Sequence, residues 1–151
     1  ATAASLCRTV EVPGEPAHHQ RPRGTMRMAA EEWESFCADE AQAADAVLTC
    51  FFVDACPDVT RACEQIRSVL RPGGLWINQG PLLYHWNRAA ADVPRLSADE
   101  LLLLIGRMGF EVLEHDSRVC TYSQDPLSMC RSEYDCLFFV ARRSEEERAA
   151  Q

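Results

Sequence analysis

The chain has 151 residues, 47% of them hydrophobic and 25% charged, a composition expected of one soluble globular domain long enough to bury a core. A net charge of −8, with the arginines scattered among acids, leaves no basic surface of the kind a phosphate backbone requires, so nucleic acid is not an expected partner. No apolar run approaches the roughly 20 residues of a membrane span, and the longest, Leu101 to Ile105, sits inside an amphipathic stretch.

The start, Ala1 to Cys7, has neither an initiator Met nor the basic-then-apolar order of a signal peptide, which raises the expectation of a missing upstream portion. Residues 1–25 hold Pro13, Pro16, Pro22, Gly14 and Gly24 with few large apolar side chains, and read as a loop or flexible arm. Met26 to Ala30 reads as a short strand. Glu31 to Cys37 reads as either the acidic first turn of a helix or a loop. Ala46 to Val53 (AVLTCFFV) is a continuous apolar, aromatic and β-branched run, as in a strand buried on both faces of a parallel sheet.

Asp58 is then placed to cap a helix over Val59 to Leu70, where Val59, Cys63, Ile66, Val69 and Leu70 share one face. Pro72-Gly73-Gly74 ends that helix and turns the chain into a strand over Leu75 to Asn78, completing a β-α-β unit. Ser97 and Glu100 form a capping-box pattern before a helix from Ala98 to Met108, stopped at Gly109. Phe110 to Tyr122 and Tyr134 to Ala141 read as two strands joined without a helix, hence an antiparallel hairpin. Residues 26–143 thus form one α/β domain with right-handed crossovers, and residues 144–151 a charged tail.

The eight cysteines, Cys7, Cys37, Cys50, Cys56, Cys63, Cys120, Cys130 and Cys136, show no CxxC pair and no histidine at finger spacing. Most of them are expected as reduced, structural thiols with no metal, in a cytoplasmic location, the nucleus also being open to the protein.

Ligands of open α/β sheets sit beyond the carboxyl ends of the strands, which draws attention to Asp54 and to the stretch from Gly80 to Trp86. Asp54 suits a helix cap as well as a functional carboxylate. Tyr84, His85 and Trp86 place aromatic faces and an imidazole in one loop, suited to a flat or cationic ligand, although a satisfied core or loop histidine is the commoner role of His85 and core packing explains Trp86 equally well. Tyr122 and Tyr134 flank the final hairpin, where a tyrosine more often packs an edge than meets a ligand.

The blocks LTCFFVD (48–54), LRPGGLWINQGPLLYH (70–85), TYSQDPLSM (121–129) and EYDCLFFVARR (133–143) closely resemble, in order and approximate spacing, those of the carnosine N-methyltransferases. The resemblance runs from about Met28 to Arg143. GPLLYH and DPLSM are its specific parts, whereas LRPGG recurs across many methyltransferases. It implies a Rossmann-like class I methyltransferase sheet that is N-terminally truncated, holding the third to seventh strands. The first two strands would be absent, and with them the glycine-rich turn; no GxG occurs in the sequence.

By the same resemblance the cofactor is S-adenosylmethionine. Glu32 and Trp33 stand where the family has an acidic residue and Phe beside the adenine, and Cys50 aligns with a further cofactor-lining cysteine. Asp54, His85 and Tyr134 match the family's substrate-binding aspartate, histidine and tyrosine, with Asp54 also catalytic, and Tyr122 matches another tyrosine of that pocket. The implied partner is a small peptide, carnosine, methylated on its imidazole to give anserine. A homodimer is among the assemblies open to the intact protein. Two other readings stay open: methylation of a histidine in a protein, and a non-catalytic remnant or binding module that keeps the substrate half of the fold.

Overall fold

The computed structural model describes residues 27, 29–84, 95–122 and 129–145. In chain order it contains helix α1 (Trp33–Asp39), strand β1 (Ala44–Cys50), helix α2 (Val59–Val69), strand β2 (Leu70–Gly80), helix α3 (Ala98–Arg107) and strands β3 (Phe110–Thr121) and β4 (Glu133–Arg143). One turn of 3-10 helix, Val53–Ala55, separates β1 from α2. The strands form one sheet in the order β1-β2-β4-β3. β1 and β2 are parallel, with α2 as their crossover, and β4 is antiparallel to both β2 and β3.

Local chemistry accounts for most boundaries. The Asp58 carboxylate accepts from the Thr60 and Arg61 N–H groups at 2.9 and 3.1 Å and starts α2. Ser97 and Glu100 make the reciprocal capping box of α3, at 3.3 and 2.8 Å. At the other end of α2, the Arg143 guanidinium donates to the Arg67 carbonyl at 2.8 Å and to that of Leu70, so β4 closes off a helix far away in sequence.

Both longer helices cover one face of the sheet. Val59, Cys63 and Ile66 of α2 and Leu101 and Ile105 of α3 pack with Trp76, Leu137, Phe139 and Ala141 of the strands. Trp76 meets the Phe139 ring edge-on at 4.8 Å, a preferred aromatic geometry. Side chains alternate between faces along each strand. The opposite face therefore carries Leu48, 73% exposed, together with half-buried Ile77, Phe138 and Val140. β1 is the edge strand on that side.

Several expectations shift. The first strand pairs from Ala44 and ends at Cys50 rather than Val53, because Phe51 takes a positive φ of 50° that leaves the extended region. Helix α2 stops at Val69, and Leu70 already pairs with Ala44. The residues from Arg71 to Gly74 bulge out between the pairs Ala44–Leu70 and Ala46–Leu75, with Gly73 at φ 77°, so Pro72-Gly73-Gly74 turns the chain inside β2. Of the strand expected at Met26 to Ala30, the described residues Arg27, Ala29 and Ala30 join no ladder, so among the described residues the third strand of the family pattern is not seen. The stretch Glu31 to Cys37 resolves into α1. The arm of residues 1–25 and most of the charged tail lie outside the described residues.

Candidate active site

At the carboxyl end of β1 the Phe51 N–H still donates to the Gln79 carbonyl at 2.9 Å, but its positive φ turns the chain away from the ladder. Gly80 makes the turn possible. A Cβ there would stand 3.0 Å from both Cα and N of Phe51, tight enough that the backbone would have to give way by a few tenths of an ångström. The 3-10 turn that follows buries the Asp54 carboxylate, 2% exposed, where its Oδ2 accepts from the Leu83 N–H at 3.0 Å. One carboxylate thereby joins the loops after β1 and β2, the two places where an open sheet binds ligands.

The Phe51 ring stands 4.9 Å from that of Tyr122 and meets Tyr134 edge-on at 5.6 Å. Phe51, Asp54, Ala55, Pro81, Tyr122 and Tyr134 enclose a cavity of about 310 Å³. Pro81 and Tyr134 also line a neighbouring groove of about 720 Å³, whose rim carries the exposed Asp99, Asp116, Glu133 and Asp135. Three residues expected for the substrate, Asp54, Tyr122 and Tyr134, are thus brought together from the 3-10 turn, the end of β3 and the start of β4. His85 and Trp86 lie outside the described residues. Tyr84 does not join the site. It is buried, its hydroxyl donates to the Leu96 carbonyl at 2.7 Å, and burial raises its pKa.

Phe51 had no place among the expected site residues although it walls two of the tyrosines. Its only signal in the chain is its position in FFVD, three residues before Asp54.

A second cavity, of about 350 Å³, lies between α1 and α2 and is lined by Glu32, Trp33, Phe52, Ala55, Cys56 and Arg61, among others. Trp33 packs edge-on against Phe52 at 5.5 Å and stacks near Phe36 at 5.8 Å, and its buried indole Nε1 has no acceptor. A carboxylate beside aromatic faces suits the adenine of a nucleoside cofactor, and Ala55 borders both this cavity and the one at Asp54. Cys50 does not line it; that thiol is exposed at the end of β1.

Two of the neighbouring thiols are held in the protonated form. Burial first, then contact with the Cys120 thiol, pushes Cys136 up to about 12, and Cys56 is raised to about 11 by burial and then by Asp54. Gln79 Nε2 donates to Cys120 Sγ at 2.8 Å. Among the described residues no cluster of His, Cys, Asp and Glu suits a metal ion.

A sheet in the order β1-β2-β4-β3 with β4 antiparallel, and a cavity beyond its parallel strands, has the architecture of a class I methyltransferase sheet. A SAM-dependent methyltransferase from Methanosarcina mazei superposes with a TM-score of 0.63 at 15% identity, over 87% of this chain and 74% of that one. The family model described as carnosine N-methyltransferase matches residues 1–145, and the chain belongs to that family. The carnosine N-methyltransferase of Mus musculus is 33% identical over 143 residues, 93% of this chain, and that of Dictyostelium discoideum 39% identical over 101 residues, 67% of this chain. The chain spans 36% and 22% of the lengths of these two relatives.

Proposed function

We propose that this chain supplies the acceptor side of an S-adenosylmethionine-dependent N-methyltransferase that methylates the imidazole of carnosine to give anserine. The observation that carries the reading is the buried Asp54 carboxylate facing an aromatic cavity built by Phe51, Tyr122 and Tyr134. A flat imidazole suits aromatic walls, and the positive charge it acquires during transfer is stabilised both by those rings and by the carboxylate.

The methyl group comes from the sulfonium of S-adenosylmethionine, whose adenosine end Glu32 and Trp33 would hold. The acceptor imidazole must be neutral, with one nitrogen lone pair aligned on the methyl carbon. Asp54 accepts a hydrogen bond from the N–H of the other ring nitrogen, which fixes the productive tautomer. When the acceptor nitrogen takes the methyl group, the same carboxylate would receive the proton that leaves the other ring nitrogen. His85 and Tyr134 position the rest of the dipeptide, and its ammonium group would face the acidic rim formed by Asp99, Asp116, Glu133 and Asp135.

The test is methyl transfer by the whole protein to carnosine, set against histidine-bearing proteins, in wild type and Asp54→Asn. Asp54→Asn should lower turnover by about 10²–10⁴-fold while leaving S-adenosylmethionine affinity unchanged. Unchanged turnover would remove Asp54 from proton transfer. Efficient modification of a protein while carnosine is left untouched would replace the dipeptide by a protein histidine as the acceptor.

A further inference from the structure

The carboxyl ends of β1 and β2 hold a buried polar chain that the reaction above does not use. Trp76 Nε1 donates to Thr49 Oγ1 at 2.9 Å, Thr49 Oγ1 donates to Asn78 Oδ1 at 2.8 Å, and Asn78 Nδ2 donates to the Leu137 carbonyl at 3.1 Å. Asn78 is 1% exposed and Thr49 is also buried. A carboxamide in an apolar layer destabilises unless its donor and acceptor are both engaged, and here both are. The chain runs across β1, β2 and β4, perpendicular to the strands.

Its location is informative. The β2–β4 ladder ends at the pair Gly80–Leu137, while β4 continues toward its start paired only with β3, as far as Thr121–Glu133. The Leu137 carbonyl therefore marks where β4 parts from β2, and Tyr134 lies three residues beyond that point. On the other side, Thr49 stands two residues before Phe51 and five before Asp54. Asn78 is thus the one side chain of this network that bonds both strands bearing the walls of the acceptor cavity.

We propose that Asn78, with Thr49, is a positioning residue: its carboxamide sets the separation between the Phe51–Asp54 turn and Tyr134, and so the width of the acceptor cavity. This inference rests on the functional reading above for its catalytic consequence, though not for its structural one. Thr49→Val keeps the side-chain shape but leaves Trp76 Nε1 and Asn78 Oδ1 without partners, whereas Thr49→Ser keeps the hydroxyl.

Two readouts test it on the intact protein. Fluorotyrosine labelling reports the tyrosines, Tyr84, Tyr122 and Tyr134 of this chain among them, and the resonance lost in Tyr134→Phe is that of Tyr134. Thr49→Val should move the Tyr134 resonance and Thr49→Ser should not. In kinetics, Thr49→Val should lower kcat/KM for carnosine by about fivefold or more in the wild-type background and by under about twofold in Tyr134→Phe, with cofactor affinity unchanged. Should Thr49→Val not fold, Asn78→Ser, which loses the reach to Leu137, is read in the same way. An unmoved Tyr134 resonance, or equal losses in both backgrounds, overturns the proposal. The fluorine spectrum needs no substrate, so wild-type protein that ignores carnosine would refute the functional reading alone.

Discussion

Replacing Gly80 by alanine tests the geometry on which the candidate site depends. The added methyl would lie 3.0 Å from Cα and N of Phe51, and both atoms are backbone held by the Phe51–Gln79 hydrogen bond. No side chain can swing aside to relieve the contact. The strands must separate by several tenths of an ångström, a change of the overpacking kind that destabilises by about 1–3 kcal/mol. For a domain of this size that corresponds to a fall in Tm of roughly 2–12 °C. Gly106 is the internal control: it sits in α3, and a Cβ there meets nothing within 4 Å. Gly106→Ala should gain about 0.5–1 kcal/mol from helix propensity alone. Calorimetric or circular-dichroism melts of the two variants of the whole protein should therefore move in opposite directions. Because Phe51 must shift, Gly80→Ala should also lower kcat/KM for carnosine, whereas Gly106→Ala should not. Equal melting temperatures for Gly80→Ala and wild type would refute the close approach and, with it, this account of the Phe51 turn.

Four further outcomes are expected. Ser97→Ala should cost about 1 kcal/mol in denaturant melts at neutral pH by removing the cap of α3. Hydrogen bonds from Ser97, its backbone N–H foremost, lower the Glu100 pKa in the folded state, so the Glu100 contribution is present above the unfolded carboxylate pKa and fades as pH falls through the lowered folded value; an acid titration of wild type against Glu100→Gln that showed the gap widening instead would contradict the sign. Tyr134→Phe and His85→Ala should mainly raise KM for carnosine, since positioning contacts are made in the ground state too, and steady-state kinetics on the intact protein would show it. Residues 1–151 by themselves should self-associate through the β1 edge, which no other strand pairs among the described residues, and bind S-adenosylmethionine weakly; Leu48→Lys should reduce the light scattering, and micromolar cofactor binding by a monomer would count against the idea.

What was legible in the chain was whatever depends on near neighbours. Asp58 before an amphipathic run, the Ser97–Glu100 pattern and the two β-prone segments without an intervening helix each carry their geometry within a dozen residues, and each is found in the structure. The class I sheet and the family were legible through longer blocks of residues. Hidden were the features set by contacts across the sheet. An apolar run such as LTCFFV reads as strand to its end, because nothing in a phenylalanine announces a positive φ; that conformation depends on Gly80, which another strand supplies. Tyr84 looked like a ligand-facing aromatic for the same reason, its acceptor being the distant Leu96 carbonyl. Asp54 could be singled out by position, but its bond to the Leu83 N–H, which joins the two loops, could not.

The position of β4 in the sheet bears on how the protein is made. Synthesis proceeds from β1 through β2 and β3 to β4, yet β4 lies between β2 and β3. The strand translated last among those described must enter the middle of the sheet, and until it does neither neighbour has its partner. The Arg143 clasp on the end of α2 is likewise among the last contacts available. At about 5–20 residues per second, the interval between β3 and β4 leaving the ribosome is of order seconds, during which β2 and β3 present open edges. A chaperone or ribosome-bound factor acting on the nascent protein should therefore engage it most strongly in that window. Ribosome-stalled chains ending before and after β4 has emerged should differ sharply in protease resistance.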